Sequence, residues 1–107
     1  MRKKSDAPIF DIDRMRAAAG EATGLVRSLA HEDRMLILCR LALGEACVSE
    51  LEADLGIRQP TLSQQLGVLR RKGFIAPRRE GKHIHYRIAD ARVLAVLQTL
   101  HALYCSE

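Results

Sequence analysis

The stretch RQPTLSQQLGVLRRKG, residues 58 to 73, has the pattern of one amphipathic helix with defined ends. Pro60 suits the first helical position, where its missing N–H costs no hydrogen bond, so Gln59 is the predicted cap. The helix is expected to run to Lys72, because Gly73 supplies the left-handed conformation that commonly ends a helix. Its apolar face is formed by Leu62, Leu66 and Leu69.

The polar face of this helix carries no acidic residue, which is unusual for a helix that only has to be soluble. Amide side chains can pair with adenine edges in the major groove of DNA, and hydroxyls reach bases or phosphates. Arginines bind phosphates and contribute affinity without reading sequence. The predicted base-reading residues are Gln59, Thr61, Ser63 and Gln64, and the predicted phosphate contacts from this helix are Arg70 and Arg71.

Three helices are predicted before this one. Their expected ranges are Asp11 or Asp13 to Leu29, Glu32 to Gly44, and Ser49 to Gly56. The third has Ser49 followed by Glu52 at the spacing of a capping box. Only three residues separate it from the helix at Pro60, and two helices joined so tightly are typical of a helix-turn-helix.

The segment FIAPRREGKHIHYRI, residues 74 to 88, predicts a β-hairpin, since apolar and polar residues alternate along it. Two strands are expected to join at Glu80-Gly81, and Pro77 fits only an edge strand. A basic hairpin after a helix-turn-helix is a wing. Its expected contacts with DNA are Arg78, Arg79, Lys82 and His83.

The last predicted helix, ARVLAVLQTLHALYC, residues 91 to 105, has an apolar stripe too wide for a solvent-exposed terminal element. Such a helix most simply buries itself in a second copy of the chain. The predicted fold is therefore mainly α with a small β-hairpin, a winged helix-turn-helix that forms a homodimer through its first and last helices.

Charge and composition agree with a DNA-binding domain. The chain has 107 residues and a net charge of +4, and residues 58 to 92 hold nine Lys or Arg against two acidic residues. Such a concentration of positive charge indicates a polyanion partner, here double-stranded DNA. We expect residues 1–10 to form a flexible arm and residues 11–107 a single domain. Without an apolar membrane span or a secretory signal, the protein is expected to be cytoplasmic, with its cysteines as thiols.

Two blocks of sequence resemble a known family. LGIRQPTLSQQLGVLRRKGFI followed by RREGKHIHYRI is similar to the core of the arsenic-repressor-type (ArsR) winged-helix family. LILCRL around Cys39 and LHALYC at Cys105 resemble its dithiol repressors that sense sulfide and reactive sulfur species, the BigR and SqrR type. Glu32, after His31, departs from the proline frequent in that family and puts the start of the second helix in doubt.

The resemblance implies a repressor with a thiol switch. The reduced dimer would bind a pseudo-palindromic operator of sulfide detoxification genes, and a disulfide or sulfur chain joining Cys39 to Cys105 would release it. Arg40 and His101 are expected to favour a thiolate at this pair. From the residues alone another interpretation stays open, in which Cys39 is a small core residue and Cys105 an incidental exposed thiol.

Other chemistries are less well supported. EACVSEL, residues 45 to 51, offers one thiolate, Cys47, without a neighbouring cysteine ligand, so metal sensing is disfavoured. Cys47 lies outside the pair of Cys39 and Cys105 and is not expected to take part in the switch. Asp90 is followed by Arg92 rather than by a metal-binding histidine, and the pair His83 and His85 would hold a metal only weakly. No metal or cofactor is predicted. The alternatives are a general oxidant- or metal-responsive repressor of the same fold and, from another class, a small thiol enzyme.

Overall fold

The structure is a computed structural model that describes residues 10–105, and it contains five helices and three short strands in this range. The predicted N-terminal arm therefore lies almost wholly outside the described residues. In chain order the elements are α1 (Ile12–Leu29), α2 (Glu32–Ala42), β1 (Ala46–Cys47), α3 (Val48–Leu55), α4 (Thr61–Arg71), β2 (Ile75–Glu80), β3 (His83–Ile88) and α5 (Ala91–Cys105). The predicted winged helix-turn-helix fold, mainly helical with a small sheet, is confirmed.

Helix α2 lies at the centre of the domain, because it contacts all four of the other helices and also strand β3. Ile37 and Leu38 are fully buried on it, and Leu41 nearly so. The predicted apolar face of α4 is also buried, since Leu62, Leu66 and Leu69 are at most 2% exposed. This core fixes the direction in which the polar face of α4 points.

Helix α3 begins one residue earlier than predicted and has a different cap. Cys47 is its N-cap, and the backbone N–H of Cys47 donates to Glu50 Oε1 at 2.9 Å. The predicted capping pair of Ser49 and Glu52 is therefore wrong. The reason is the strand before it, because residues as far as Cys47 are held extended by pairing with β3.

The ends of α4 differ slightly from the prediction. The helix begins at Thr61 with Pro60 as its N-cap, so Gln59 does not hold the cap position. Gln59 still caps the first turn, because its side-chain Oε1 accepts a hydrogen bond from the backbone N–H of Ser63 at 3.1 Å. Helix α4 ends at Arg71, and Gly73 follows with a φ of +77°, as expected for a left-handed stop.

The sheet has three antiparallel strands in the order β1-β3-β2, one more than predicted. Strand β1 is only two residues long, too short for an alternating pattern, and it pairs Ala46 with Tyr86. Pro77 lies on β2, which is an edge strand as predicted. The turn comprises Gly81 and Lys82 and thus begins one residue later than expected.

No helix within residues 10–105 has the length and hydropathy needed to cross a membrane.

Candidate nucleic-acid interface and thiol pair

The first turns of α4 present a polar, solvent-exposed surface. Thr61, Ser63 and Gln64 are exposed on the side of the helix opposite its buried leucines. Gln59 is exposed beside them, but its amide oxygen is already used by the backbone of Ser63, which leaves its NH₂ group as the free donor. Gln64 makes no side-chain hydrogen bond within the described chain, so both ends of its amide are available for a base.

The neighbouring amide, Gln65, has a different position and partner. It is partly buried, and its Oε1 accepts a 2.7 Å hydrogen bond from Arg34 Nε of α2. Arg34 also donates through Nη1 to the backbone oxygen of Ser28 at the end of α1, at 3.3 Å. Arg34 thus links α1, α2 and α4 and holds α4 in position, a contact that no sequence pattern predicted.

Most of the predicted phosphate-binding cations are exposed and unpaired. Within residues 10–105 no acidic partner lies within ion-pair distance of them. They lie at the end of α4 and along the hairpin. These residues are Arg70, Arg71, Arg79 and Lys82.

Arg78 differs from the other predicted phosphate contacts because its charge is already matched inside the protein. Its Nη2 lies 2.8 Å from Glu45 Oε1 and 3.6 Å from Glu80 Oε1, and its Nε also donates to Glu45. This hydrogen bonding lowers the pKa of Glu45 and raises the pKa of Arg78. A phosphate that contacts Arg78 therefore competes with a carboxylate for the same guanidinium.

The two histidines of the wing have different surroundings. His83 is exposed, whereas His85 is partly buried with its Nε2 3.5 Å from Glu80 Oε1, and their ring centroids are 6.4 Å apart. Asp90 is occupied by Arg92, whose hydrogen bonds lower the pKa of that carboxyl. Within the described part of the chain no three His, Cys, Asp or Glu side chains are grouped to hold a metal.

The predicted thiol pair lies on two neighbouring helices. Cys39 is partly buried on α2, and Cys105 is exposed at the end of α5. Burial, and to a smaller extent the charge of Cys105, raises the pKa of Cys39. The expectation that Arg40 favours a thiolate at Cys39 is therefore wrong, because Arg40 Nε is bound to Asp54 Oδ2 at 2.7 Å. His101, which was also expected to favour a thiolate, lines a groove together with Cys39.

Cys47 lies apart from this pair, at the junction of β1 and α3. It is 9% exposed, and its Sγ lies 3.2 Å from Ser49 Oγ. Its place as the N-cap of α3 gives it a structural role.

The chain is similar to known regulators along almost its whole length. The model of the "Bacterial regulatory protein, arsR family" matches residues 31–76. The biofilm growth-associated repressor of Agrobacterium fabrum is 44% identical over 106 residues, which cover 99% of this chain and 91% of that protein. The crystal structure of the transcriptional repressor BigR from Xylella fastidiosa has a TM-score of 0.87 at 40% identity and covers 92% of this chain, with all of that chain matched.

A third similar structure is the homodimeric winged helix-turn-helix domain of a possible ArsR-family regulator from Mycobacterium bovis. It was determined in solution, is 29% identical, has a TM-score of 0.70 and covers 90% of this chain and 89% of that one. From the identity to the Agrobacterium repressor and the match to BigR, the chain belongs to the arsR family of bacterial regulatory proteins, in its BigR-like subgroup, and is a transcriptional regulator rather than an enzyme.

Proposed function

We propose that the protein is a homodimeric repressor that binds a pseudo-palindromic operator while Cys39 and Cys105 are reduced. A disulfide or sulfur chain between the two thiols releases it, so that reactive sulfur species induce sulfide detoxification genes. The observation that carries this proposal is the exposed polar surface at the start of α4, which has no acidic residue and belongs to a helix that contacts the thiol-bearing α2.

The dimer is supported by the apolar side chains that the protomer leaves exposed. Within residues 10–105 several of the large exposed ones lie on α1 and α5, the two helices at the ends of the fold. They include Ile12, Met15 and Val26 on α1, and Leu103 and Tyr104 on α5. The Mycobacterium bovis relative is itself homodimeric. Two-fold symmetry would place two copies of α4 about 34 Å apart, one turn of DNA, and so requires a palindromic site.

The proposed contacts with DNA are of two kinds, contacts with base edges and contacts with phosphates. Thr61, Ser63 and Gln64 would meet base edges, and Gln59 would contribute the donor that its cap leaves free. Arg70, Arg71, Arg79, Lys82 and His83 would contact the phosphate backbone, and Arg78 would join them only after leaving Glu45.

The switch would act through α2. A sulfur bridge joins α2 to α5, the predicted dimer helix, and α2 also carries Arg34, which holds α4 through Gln65. A change in the angle between α2 and α5 would therefore reach the recognition helix and the dimer contact together. Since the two copies of α4 must match successive major grooves, a shift of their spacing lowers operator affinity.

The test combines intact-mass analysis with an operator-binding assay. Reduced protein and samples treated with polysulfide, peroxide or diamide are compared, alongside the variants Cys39→Ser, Cys105→Ser and Cys47→Ser. We expect polysulfide to add sulfur between Cys39 and Cys105 and to release DNA. The first two variants should bind DNA but not respond, and Cys47→Ser should respond like the wild type.

Two results would contradict the proposal. One is a bridge through Cys47, and the other is equal operator affinity of the reduced and bridged forms. A response to peroxide and diamide as strong as that to polysulfide would favour the general oxidant sensor of the same fold.

A further inference from the structure

His85 lies in the middle of a group of charged side chains on the sheet. It belongs to β3, the central strand, and is directly opposite Arg78 of β2 and Cys47 of β1. Residues opposite each other in an antiparallel sheet share one face, and their side chains are within reach of each other. The group, called here the wing cluster, consists of Glu45, Arg78, Glu80, His85 and Arg87.

One carboxylate of the wing cluster is shared between His85 and Arg78. Glu80 Oε1 lies 3.5 Å from His85 Nε2 and 3.6 Å from Arg78 Nη2. Arg78 is also held by Glu45, at 2.8 Å. A protonated imidazole carries a positive charge and donates through both ring nitrogens, so it attracts a carboxylate more strongly than a neutral one does. His85 and Arg78 therefore compete for Glu80 only when His85 is protonated.

We propose that His85 is a positioning residue for Arg78, because protonation of His85 draws Glu80 away from Arg78 and allows this arginine to contact a DNA phosphate. The wing then binds DNA more tightly as the pH falls from about 8 to about 6, the range in which histidine ordinarily changes its charge. The inference rests on the DNA-binding function proposed above and adds a dependence on pH that is separate from the two thiols.

The sum of the charges in the wing cluster is set by His85. The carboxylates of Glu45 and Glu80 are matched by the guanidinium groups of Arg78 and Arg87, so the cluster is neutral with a neutral His85 and gains one positive charge on protonation. The hydrogen bond from Arg78 lowers the pKa of Glu45, which keeps that carboxylate ionised over the same range. DNA is a polyanion and favours the more positive form, so DNA binding and protonation of His85 strengthen each other.

Three further ionisable groups lie around His85 on the strands and on α3. Cys47 has its Sγ 3.2 Å from Ser49 Oγ. Glu50 accepts a hydrogen bond from the backbone N–H of Cys47, which lowers its pKa, and the charge of His85 makes a smaller contribution in the same direction. His83 is exposed, and its ring centroid is 6.4 Å from that of His85. Since His83 is a histidine as well, its effect has to be separated from that of His85.

Helices α2 and α5 also pack against β3, but their nearby cations have other partners. Arg40 of α2 is bound to Asp54 at 2.7 Å. Arg92 of α5 is bound to Asp90 at 3.2 Å. Neither guanidinium is therefore free to replace Arg78 beside the carboxylates of the wing cluster.

The first test measures how the reduced full-length protein binds a random-sequence duplex, about three helical turns long, over a range of salt at about pH 6 and about pH 8. We expect affinity to be at least about fivefold higher at the lower pH. The slope of log affinity against log salt should be steeper there by about one unit, because Arg78 gains a phosphate contact. Equal affinities and slopes would overturn this inference alone. If the protein bound no duplex at low salt, the DNA-binding function would fail and this inference with it.

Two glutamine variants assign the effect to one histidine. His85→Gln removes the charge that changes with pH but keeps a hydrogen-bonding side chain, so its salt slope should change little between the two pH values. His83→Gln is the matched control, because it alters an exposed histidine two residues away on the same strand. The change of slope with pH should be larger in His83→Gln than in His85→Gln. Equal changes, or the reverse order, would contradict the proposal.

Two more variants separate a positioning role of His85 from a direct contact with DNA. In an Arg78→Ala background, adding His85→Gln should have no further effect on the pH dependence, because no guanidinium is left to release. A full additional effect would show that His85 itself contacts DNA and would overturn the positioning role. His85→Lys carries its charge at both pH values, so at about pH 8 it should show the slope that the wild type shows at about pH 6. A slope equal to that of the wild type at about pH 8 would contradict the proposal.

Discussion

Two adjacent glutamines on α4 have different surroundings, although they are only one position apart. Gln64 is exposed and free of hydrogen bonds within the described chain, whereas Gln65 is partly buried and holds Arg34. Both were visible in the sequence as amides on an acid-free helix. The partner of Gln65 lies 31 residues away in sequence, and no local pattern reports so distant a contact.

We expect Gln64→Ala to lose discrimination between operator and random DNA. An amide paired with an adenine edge contributes roughly 1–3 kcal/mol of discrimination, so operator affinity should fall by about tenfold or more while affinity for random DNA stays unchanged. Competition binding against both duplexes at one salt concentration measures the ratio. Equal loss on both duplexes would show that Gln64 does not read bases.

A second prediction concerns the carboxylate that occupies Arg78. Glu45→Gln removes the negative charge that a DNA phosphate must displace, so we expect tighter binding to all DNA. The slope of log affinity against log salt should become steeper by about one unit, because one more phosphate contact forms.

Arg79→Ala is the matched control for Glu45→Gln, because Arg79 is an exposed wing arginine without an ion pair in residues 10–105. It should weaken binding to all DNA and make the slope shallower by about one unit. If Glu45→Gln weakened binding as well, Glu45 would orient the wing rather than compete with DNA.

At the scale of elements, the sequence predicted what local spacing determines. The leucine spacing of α4 and the alternation of the hairpin predicted these two elements correctly, and Gly56 and Gly73 end the helices as expected. Strand β1 was not predicted, because two residues are too few to show a periodicity. Its pairing partners, His85 and Tyr86, are also far away in sequence. That tertiary pairing also moved the cap of α3 from Ser49 to Cys47.

The cap of α3 formed by Cys47 and Glu50 should contribute to thermal stability in a pH-dependent way. The hydrogen bonds from Cys47 lower the pKa of Glu50, so the ionised carboxylate is favoured in the folded state. This stabilisation is present above the pKa of an unfolded glutamate and is lost as the pH falls through the lower folded value. Glu50→Ala should therefore lower Tm at neutral pH and lose that effect in acid.

Glu52→Ala is the control that distinguishes the two possible capping boxes. Calorimetry of both variants at neutral and acidic pH measures the difference. If Glu52→Ala lowered Tm as much as Glu50→Ala, the capping assignment in the structure would be contradicted.

For the whole molecule, the two thiols and the exposed polar face of α4 lie on helices that are connected through α2. Cys39 lies on α2, which carries Arg34 and so contacts the end of α1 and the middle of α4. The sequence motifs predicted these helices one by one, but they gave no sign that Arg34 connects them. In the proposed switch, Arg34 is the link between the sulfur bridge and the recognition helix.

Gln65→Ala should therefore uncouple the switch without removing either of its ends. The variant keeps Cys39, Cys105 and the exposed side chains of α4, so polysulfide should still form the bridge and the reduced form should still bind operator. The affinity ratio of the reduced and bridged forms, expected at about 5- to 150-fold for an allosteric coupling, should shrink toward one. Gln65→Glu retains an acceptor for Arg34 and should preserve the ratio. Titrations of operator with mass-verified reduced and bridged protein measure it, and an unchanged ratio in Gln65→Ala would show that coupling does not pass through Arg34.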